Sequence, residues 1–305
     1  MQRTLIIHAG ERLIKRENWL VLQSEGIEKR VPIDDLFCVV IDNPQMVMST
    51  ALMTAITGAG GHVLFCDEKH LPTAILCPQS GYYRPYRILE LQLLIDEDFR
   101  EALWAEVVRA KLLNQAKALM IAKCQDKERL YRLRQLAQQV EAGDKGNCEG
   151  IGAKMFFRLM YGADFIRMRD DGINAALNYG YTIIRSTLAK LLAAHGFNTV
   201  LGIHHINSAN YFNLVDDMME PWRPLADMWT DLHHEELLDG TLTKEQRTEL
   251  IGLLNRIVLF GVRRMKVRAA MDRYVASLVA AVEKKDVHCL RFPELLPLAM
   301  EKEDE

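Results

Sequence analysis

The chain has 305 residues, of which 49% are hydrophobic and 26% are charged, a composition typical of a folded globular protein rather than a disordered chain. The length favours two domains. The formal net charge of −3 argues against a uniformly basic protein that coats nucleic acid, although this value averages over surfaces that can differ in sign.

Hydrophobic periodicity in the first 80 residues is that of β-strands. Apolar or alternating runs occupy residues 3–8, 12–22, 29–41, 62–66 and 73–77. Ser49 is placed to cap a short helix that extends through Thr57 and ends at the glycines that follow. The pattern predicts a small β-domain over residues 1–80, β-sandwich-like and with one short helix.

The period changes after a stretch that contains Pro78, Gly81 and Pro85, and we assign a linker to residues 81–85. From there the apolar residues recur as on amphipathic helices. Helices are predicted at residues 86–95, 98–123, 127–142, 150–161, 173–195, 209–219, 225–238 and 243–282. The sequence therefore predicts an α+β protein, with an all-α domain over residues 86–290 and a C-terminal tail over residues 291–305.

The sequence also predicts a location. No apolar run approaches the ~20 residues of a membrane span, and the first apolar stretch is too short for a secretory leader. The six cysteines form no Cys-x-x-Cys pair, which is typical of reduced thiols in an intracellular chain. We expect a cytoplasmic protein that does not insert into a membrane.

The densest group of candidate metal ligands comprises two histidines and three carboxylates: His204, His205, Asp216, Asp217 and Glu220. Residues three or four apart share a helix face, so these carboxylates can act together. Pro221 disfavours helical geometry at Glu220, which we therefore expect at a helix end facing a cleft. Carboxylates with one imidazole suit Mg²⁺ or Mn²⁺. The alternative is a capped, solvated helix with an incidental histidine pair.

A second polar point is Glu149, which follows a loop containing Asp144 and Asn147 and opens a predicted helix. An acidic residue in the first turn also stabilises a helix through the macrodipole alone, so the spacing leaves both interpretations open. His233 and His234 form a rival cluster. Adjacent helical residues point in different directions, and we interpret this pair as surface.

Four further positions are interpreted as structural. Trp19 and Trp104 lie in apolar periodic settings that are typical of core residues. His8 and Cys66 end apolar strands, and we expect nothing nearby that would activate either side chain.

Charge is distributed unevenly along the chain. Residues 204–250 carry 3 basic and 10 acidic side chains, whereas residues 256–273 carry 6 basic and 1 acidic side chain. We predict that the second segment is a basic amphipathic helix whose guanidinium groups fit phosphate contacts. The alternative is a solvated face that balances the acidic segment before it.

Three motifs occur in a specific order: a glutamate that opens a helix, a Gly-x-x-His sequence, and an acidic residue before a Pro-aromatic-Arg-Pro turn. They are Glu149, residues 202–205 and residues 220–224. In order and spacing they resemble the CRISPR-associated integrase family, DNA endonucleases that insert new spacers into CRISPR arrays. Residues 174–181 and 210–214 are also similar to family segments. The resemblance covers essentially the whole chain and is strongest with the subgroup that accompanies single-protein effector nucleases.

The resemblance implies that Glu149, His205 and Glu220 are the catalytic residues and bind one Mg²⁺ or Mn²⁺. His205 rather than His204 is the counterpart, because it is fourth in the Gly-x-x-His motif. Asp216 and Asp217 are candidate auxiliary carboxylates. Seven basic side chains are candidate DNA contacts: Lys111, Arg158, Arg185, Arg223, Arg263, Arg264 and Lys266.

The implied reaction is strand transfer, in which a prespacer 3′-hydroxyl attacks a phosphodiester at the edge of the first repeat, in adaptive defence against foreign DNA. The implied partners are prespacer and CRISPR repeat DNA, a second copy of the chain in a homodimer, and a small ferredoxin-like adaptation protein. Dimer and partner contacts are assigned to the N-terminal β-domain. Two other interpretations stay open: a non-catalytic DNA-binding scaffold subunit, and a zinc-dependent hydrolase.

Overall fold

The computed structural model describes residues 3–24, 26–68, 70, 72–78, 84–237 and 241–298. The chain divides into two compact units, Met1–Tyr82 and Tyr83–Glu305. Most of the predicted linker at residues 81–85 lies outside the described residues, as does the predicted tail from residue 299 onwards. A strand-rich region precedes a helix-rich region, which confirms the α+β class.

The first unit contains two four-stranded sheets. Its elements are β1 (Arg3–Ile7), β2 (Arg12–Arg16), β3 (Trp19–Ser24), β4 (Ile27–Pro32), β5 (Leu36–Ile41), β6 (Val47–Met48), α1 (Thr50–Gly58), β7 (His62–Cys66) and β8 (Pro72–Leu76). One sheet has the order β1-β5-β7-β8, in which the first three strands are parallel, and the other has the order β4-β3-β2-β6. Both sheets and α1 contribute to one apolar core, which includes Leu13, Val39 and Ile56.

Two predicted strands of this unit are each interrupted. The run at residues 12–22 is a hairpin, in which β2 and β3 pair antiparallel around a turn where Glu17 has a φ of 51°. The prediction that Trp19 is a core residue is wrong, because it directly follows this exposed turn and is itself 39% exposed. The run at residues 29–41 is broken by a 3₁₀ turn, Ile33–Asp35, directly after Pro32. The predicted cap is confirmed, since Ser49 Oγ accepts a hydrogen bond from the Leu52 amide at 3.3 Å.

Nine helices are described in the second unit: α2 (Pro85–Leu93), α3 (Glu97–Ile121), α4 (Lys127–Gln139), α5 (Cys148–Tyr161), α6 (Gly172–Ala194), α7 (Asn213–Met218), α8 (Pro224–Leu232), α9 (Lys244–Gly252) and α10 (Val267–Lys284). Aspartate side chains cap the N-termini of several of these helices. At α3, Asp96 accepts a hydrogen bond from the Phe99 backbone amide at 2.8 Å. The long helices α3 and α6 each contain more buried residues than any other helix described in this unit. Within the described part of the chain, no helix has the length and apolarity needed to cross a membrane.

The prediction of one continuous helix over residues 243–282 is wrong. The structure contains α9, then the hairpin strands β9 (Ile257–Phe260) and β10 (Arg263–Lys266), and only then α10. The sequence of β9 is Ile-Val-Leu-Phe, which favours a strand, and Gly261 supplies the positive φ of 64° that the turn requires. Strand β11 (Pro293–Glu294) pairs with β9, so the second unit is not entirely helical.

The helix predicted at residues 209–219 is also shorter than expected, since α7 begins at Asn213. Side-chain bonds organise the preceding residues instead. Asn210 Oδ1 accepts the Phe212 amide at 3.0 Å, and the Asn213 amide group donates to the Val200 and Asn207 carbonyls. Asparagine side chains that bond the backbone in this way compete with helical hydrogen bonding.

Candidate metal centre

Glu149 lies in the first turn of α5. Asp144 accepts the amides of Cys148 and Glu149, both at 2.9 Å, and Asn147 accepts the Gly150 amide at 3.2 Å. These bonds satisfy N–H groups that have no partner within the helix. The helix start is therefore anchored, and it presents the half-buried Glu149 carboxylate.

Glu220 follows α7 in a 3₁₀ turn, Glu220–Trp222, and is only 4% exposed. Helix α3 holds this turn in place, because the buried Asn114 amide donates to the Pro221 carbonyl at 2.8 Å. Arg223 Nε lies 2.9 Å from Glu220 Oε1. The position agrees with the prediction that Pro221 places Glu220 at a helix end.

Lys111, one turn before Asn114 on α3, brings the two acidic residues together. Its ammonium forms ion pairs with both Glu149 and Glu220 although the residue is only 5% exposed. Burial alone would lower the pKa of Lys111, but the two carboxylates outweigh this effect and the pKa lies above its ordinary value. Burial likewise would raise the pKa of Glu220, yet Arg223 and Lys111 hold it below its ordinary value. The group is therefore ionised at neutral pH.

His205 is held by Asp217, whose side chain is fully buried. Asp217 lies 2.6 Å from His205 Nδ1 and accepts the backbone amides of Ile203, His204 and His205 at 2.6–3.1 Å. This carboxylate orients the ring and leaves Nε2 for a ligand. It also raises the pKa of His205, more than burial lowers it.

The structure explains why a glycine, Gly202, begins the Gly-x-x-His motif. A Cβ atom at this position would lie 2.2 Å from the His205 carbonyl oxygen and 3.0 Å from Asp217 Oδ2. The loop that carries His205 can therefore turn back on itself only where no side chain is present. Trp104 supports the same loop from α3, because its ring stacks on His204 with a centroid distance of 4.3 Å.

The donor chemistry of these side chains suits Mg²⁺ or Mn²⁺. Two carboxylates and one imidazole are the hard, mixed oxygen and nitrogen set that such ions accept. Glu220 Oε2 is buried, and the cation that faces it in the structure is the Lys111 ammonium. No three His, Cys, Asp or Glu side chains in the described ranges are grouped as a metal site. Instead, the Lys111 ammonium lies against the two carboxylates.

The two candidate auxiliary carboxylates have separate partners. Asp217 binds the His205 loop, and Asp216 forms an ion pair with Arg185 at 2.6 Å. Arg185 also lies over the Phe212 ring, 4.5 Å from its centroid. Asp216 also accepts a hydrogen bond from the Asn210 side chain at 2.7 Å.

The candidate DNA contacts fall into two groups. Lys111, Arg185 and Arg223 are engaged with carboxylates around the candidate site, and Lys111 is buried. Of the others, Arg158 and Arg263 are exposed, whereas Arg264 and Lys266 are partly buried. Three of the basic residues predicted to lie on one helix occupy β10 instead: Arg263, Arg264 and Lys266.

Sequence reasoning missed a buried polar network beside the site. Tyr181 donates to Asp227 Oδ1 at 2.6 Å, and the Arg223 guanidinium lies over the Tyr181 ring. Burial raises the pKa of Asp227 to about 7, despite the opposing hydrogen bond from Tyr181. An aspartate and a tyrosine on two different helices carry no local sequence signal, because their contact is a product of helix packing.

Sequence reasoning also missed the contact between His8 and Asp42. His8 Nδ1 lies 2.7 Å from Asp42 Oδ2, and His70 Nδ1 lies 2.6 Å from Asp42 Oδ1. His8 follows β1 and Asp42 follows β5, which are adjacent parallel strands. The expectation that no residue acts on His8 is therefore wrong, because sheet pairing joins positions 34 residues apart.

Known proteins are similar to this chain over most of its length. A family model described as CRISPR associated protein Cas1 matches residues 4–239. A CRISPR-associated endonuclease Cas1 from Neisseria meningitidis serogroup C (strain 8013) is 35% identical over 297 residues, which cover 97% of each chain. Its length therefore corresponds closely to that of this chain.

Two solved structures have the same fold. A casposase bound to integration product has a TM-score of 0.78 at 16% identity and covers 99% of this chain and 96% of that chain. A Cas6-RT-Cas1–Cas2 complex has a TM-score of 0.72 at 18% identity and covers 97% of this chain and 36% of that chain. At these identities the two matches establish the fold alone. The family model and the Neisseria relative, which together span nearly the whole sequence, show that this chain belongs to the Cas1 family of CRISPR-associated proteins.

Proposed function

We propose that this chain is a divalent-metal-dependent DNA endonuclease and integrase, which inserts prespacer DNA into a CRISPR array in defence against foreign DNA. The observation that carries the proposal is the meeting of two carboxylates from distant parts of the sequence. Glu149 and Glu220 contact one buried cation, on the same unit as an imidazole oriented by Asp217. Membership of the Cas1 family supports the same class of reaction.

In the proposed mechanism, Glu149, Glu220 and His205 would hold Mg²⁺ or Mn²⁺. When bound, the ion lowers the pKa of the attacking hydroxyl and neutralises charge on the phosphate. The two carboxylates would balance the charge of the ion, and Asp217 orients the His205 ring through its contact with Nδ1. The remaining contribution of the chain is to position the DNA.

The bond changes are those of a phosphoryl transfer. The prespacer 3′-oxygen forms a bond to the repeat-edge phosphorus and releases its proton to solvent. The bond from phosphorus to the deoxyribose oxygen breaks, and this leaving oxygen takes up a proton from solvent. When water attacks in place of the 3′-hydroxyl, the same site cleaves DNA as an endonuclease. One site therefore accounts for both integration and cleavage.

The proposed assembly contains prespacer and repeat DNA, a homodimer of this chain and a small ferredoxin-like adaptation protein. Residues 1–80 form the domain for dimer and partner contacts, and residues 86–290 form the catalytic domain. Similarity to the chain in a Cas6-RT-Cas1–Cas2 complex supports a partner of the Cas2 kind. Light scattering of the purified chain, alone and with such a partner, tests the assembly directly.

The test of function is a strand-transfer assay with Mg²⁺ or Mn²⁺, repeated after chelation. We expect Glu149→Gln, His205→Ala and Glu220→Gln each to reduce integration by at least about a hundredfold, since each removes a metal ligand. Glu294→Gln is the matched control, because Glu294 pairs with Lys117 at the surface. It should retain wild-type integration.

Three outcomes would contradict the proposal. Wild-type activity in one of the three variants would remove that residue from the site. Activity that persists after chelation would exclude a metal mechanism. Tight DNA binding without any turnover by the wild-type protein would instead support a scaffold subunit.

A further inference from the structure

Lys111 is the buried cation of the candidate site. It lies in the middle of α3, is 5% exposed, and contacts the two carboxylates that are proposed to hold the metal. The Arg223 guanidinium lies against the other oxygen of Glu220. The carboxylates are thus fully balanced by protein cations in the structure.

A divalent ion and the Lys111 ammonium compete for the same oxygens. Like charges repel strongly at short distance where water is excluded, so an ion bound between Glu149 and Glu220 forces the ammonium away from them. A buried ammonium that has lost its partners carries a large desolvation cost. This cost must be offset by a new anion close to α3.

We propose that Lys111 makes metal binding depend on DNA: its ammonium occupies the carboxylates in the free protein and moves to a substrate phosphate when the metal enters. The inference rests on the proposed function and adds a regulation to it. In this role Lys111 is a positioning residue that acts on Glu149 and Glu220. The benefit is that the free protein holds little metal and therefore cleaves little DNA at random.

The two binding events are then linked. DNA raises the affinity for the metal, and by reciprocity the metal raises the affinity for DNA by the same factor. Couplings of this kind are typically about 5- to 150-fold. Removal of the ammonium should relieve the competition, so that the metal binds tightly even without DNA.

The experiment measures Mn²⁺ affinity by electron paramagnetic resonance, with and without a duplex that ends in a 3′-dideoxynucleotide. We expect DNA to tighten Mn²⁺ binding of the wild-type protein by about 5-fold or more. Lys111→Met should bind Mn²⁺ more tightly than wild type without DNA, and DNA should change its affinity less. Lys117→Met is the matched control, since Lys117 lies on the same helix and pairs with Glu294 at 2.6 Å. It should behave as wild type.

Several results would overturn the inference. Mn²⁺ affinity in Lys111→Met that equals or falls below the wild-type value excludes competition. Equal Mn²⁺ affinity of the wild-type protein with and without DNA excludes the coupling, and this measurement decides the matter even where Lys111→Met does not fold. A wild-type protein that binds no Mn²⁺ under either condition removes the proposed function itself, and the inference with it.

Discussion

Asp217 is a buried carboxylate whose contacts all serve the loop that carries His205. It accepts three backbone amides and lies against His205 Nδ1. Asp217→Asn replaces an oxygen by a donor amide that faces other donors. We expect the affinity for Mn²⁺ to fall by about 10- to 100-fold, as for other residues that orient a histidine ligand. Isothermal titration calorimetry measures this change.

A second histidine–aspartate pair of the same chain is the control for Asp217. Asp272 lies 2.9 Å from His195 Nε2 at the surface. Asp272→Asn should therefore leave the Mn²⁺ affinity unchanged. An equal loss in both variants, or no loss in Asp217→Asn, would show that Asp217 does not act through His205.

Asp227 makes the stability of the fold depend on pH. Its pKa is about 7 in the folded protein, against an ordinary value of 3.8. The folded state therefore binds more protons than the unfolded state between these values, and the contribution of this group is complete below pH 3.8 and is lost as the pH rises towards 7. Asp227→Asn removes the titration while retaining a side chain of similar shape.

We expect the free energy of unfolding of Asp227→Asn to fall less steeply than that of the wild-type protein between about pH 5 and about pH 7. The slopes should differ by at most about 1.4 kcal/mol per pH unit, the value for one proton. Urea denaturation over this pH range measures both slopes. Parallel profiles would mean that Asp227 titrates near its ordinary pKa.

At the scale of single residues, a candidate site residue could be predicted from the sequence only where a recognisable motif lies beside it. Glu149, His205 and Glu220 are marked by a helix start, a Gly-x-x-His motif and a proline, all of which lie beside them in the sequence. The role of Lys111 could not be found in this way. Its nearest partner, Glu149, is 38 residues away, and only the packing of α3 against α5 and the Glu220 turn buries its ammonium.

Among the elements, the loop before α7 depends on one glycine. A Cβ atom at residue 202 would meet the His205 carbonyl oxygen at 2.2 Å, so Gly202→Ala must displace the loop. We expect strand transfer to fall by at least about tenfold and the free energy of unfolding to fall by about 1–3 kcal/mol. Activity assays and urea denaturation of the same preparation check the two effects.

Gly252 at the end of α9 supplies the matched control. A Cβ atom there would have no neighbour within 4 Å, and the φ of −58° suits alanine. Gly252→Ala should therefore be neutral or stabilising by about 0.4–1 kcal/mol, because it restricts the unfolded chain. A Gly202→Ala protein as active as Gly252→Ala would show that the His205 loop has more freedom than its contacts indicate.

Secondary structure was predicted well where the helical repeat of apolar residues continued without interruption, as in α3 and α6. It was predicted poorly where a short strand lay between two helices. Apolar residues at 257, 258 and 260 satisfy both a helical and a strand pattern over so short a run. Gly261 was the only local signal for a turn, and the pairing of β9 with both β10 and β11 decided the outcome.

At the scale of the whole molecule, the net charge of −3 is the sum of acidic and basic regions whose charges largely cancel. Residues 204–250 contain most of the acidic groups around the candidate site, whereas Arg263, Arg264 and Lys266 lie together on β10. Some of these acidic groups form ion pairs within the protein, since Asp216, Asp217 and Glu220 all contact groups of the same unit. We therefore propose the basic strand β10 as a DNA-contacting surface, which the average charge does not indicate.

The dependence of DNA binding on salt should separate basic side chains that face solvent from those already held by carboxylates. Each phosphate contact that is removed lowers the slope of log K against log salt by about one unit. We expect this change for Arg263→Gln, because Arg263 is exposed on β10. Arg185→Gln should change the slope less, since its guanidinium is paired with Asp216 at 2.6 Å. Fluorescence anisotropy across a salt series measures both slopes, and a larger change for Arg185→Gln would mean that DNA displaces Asp216 and binds at the candidate site.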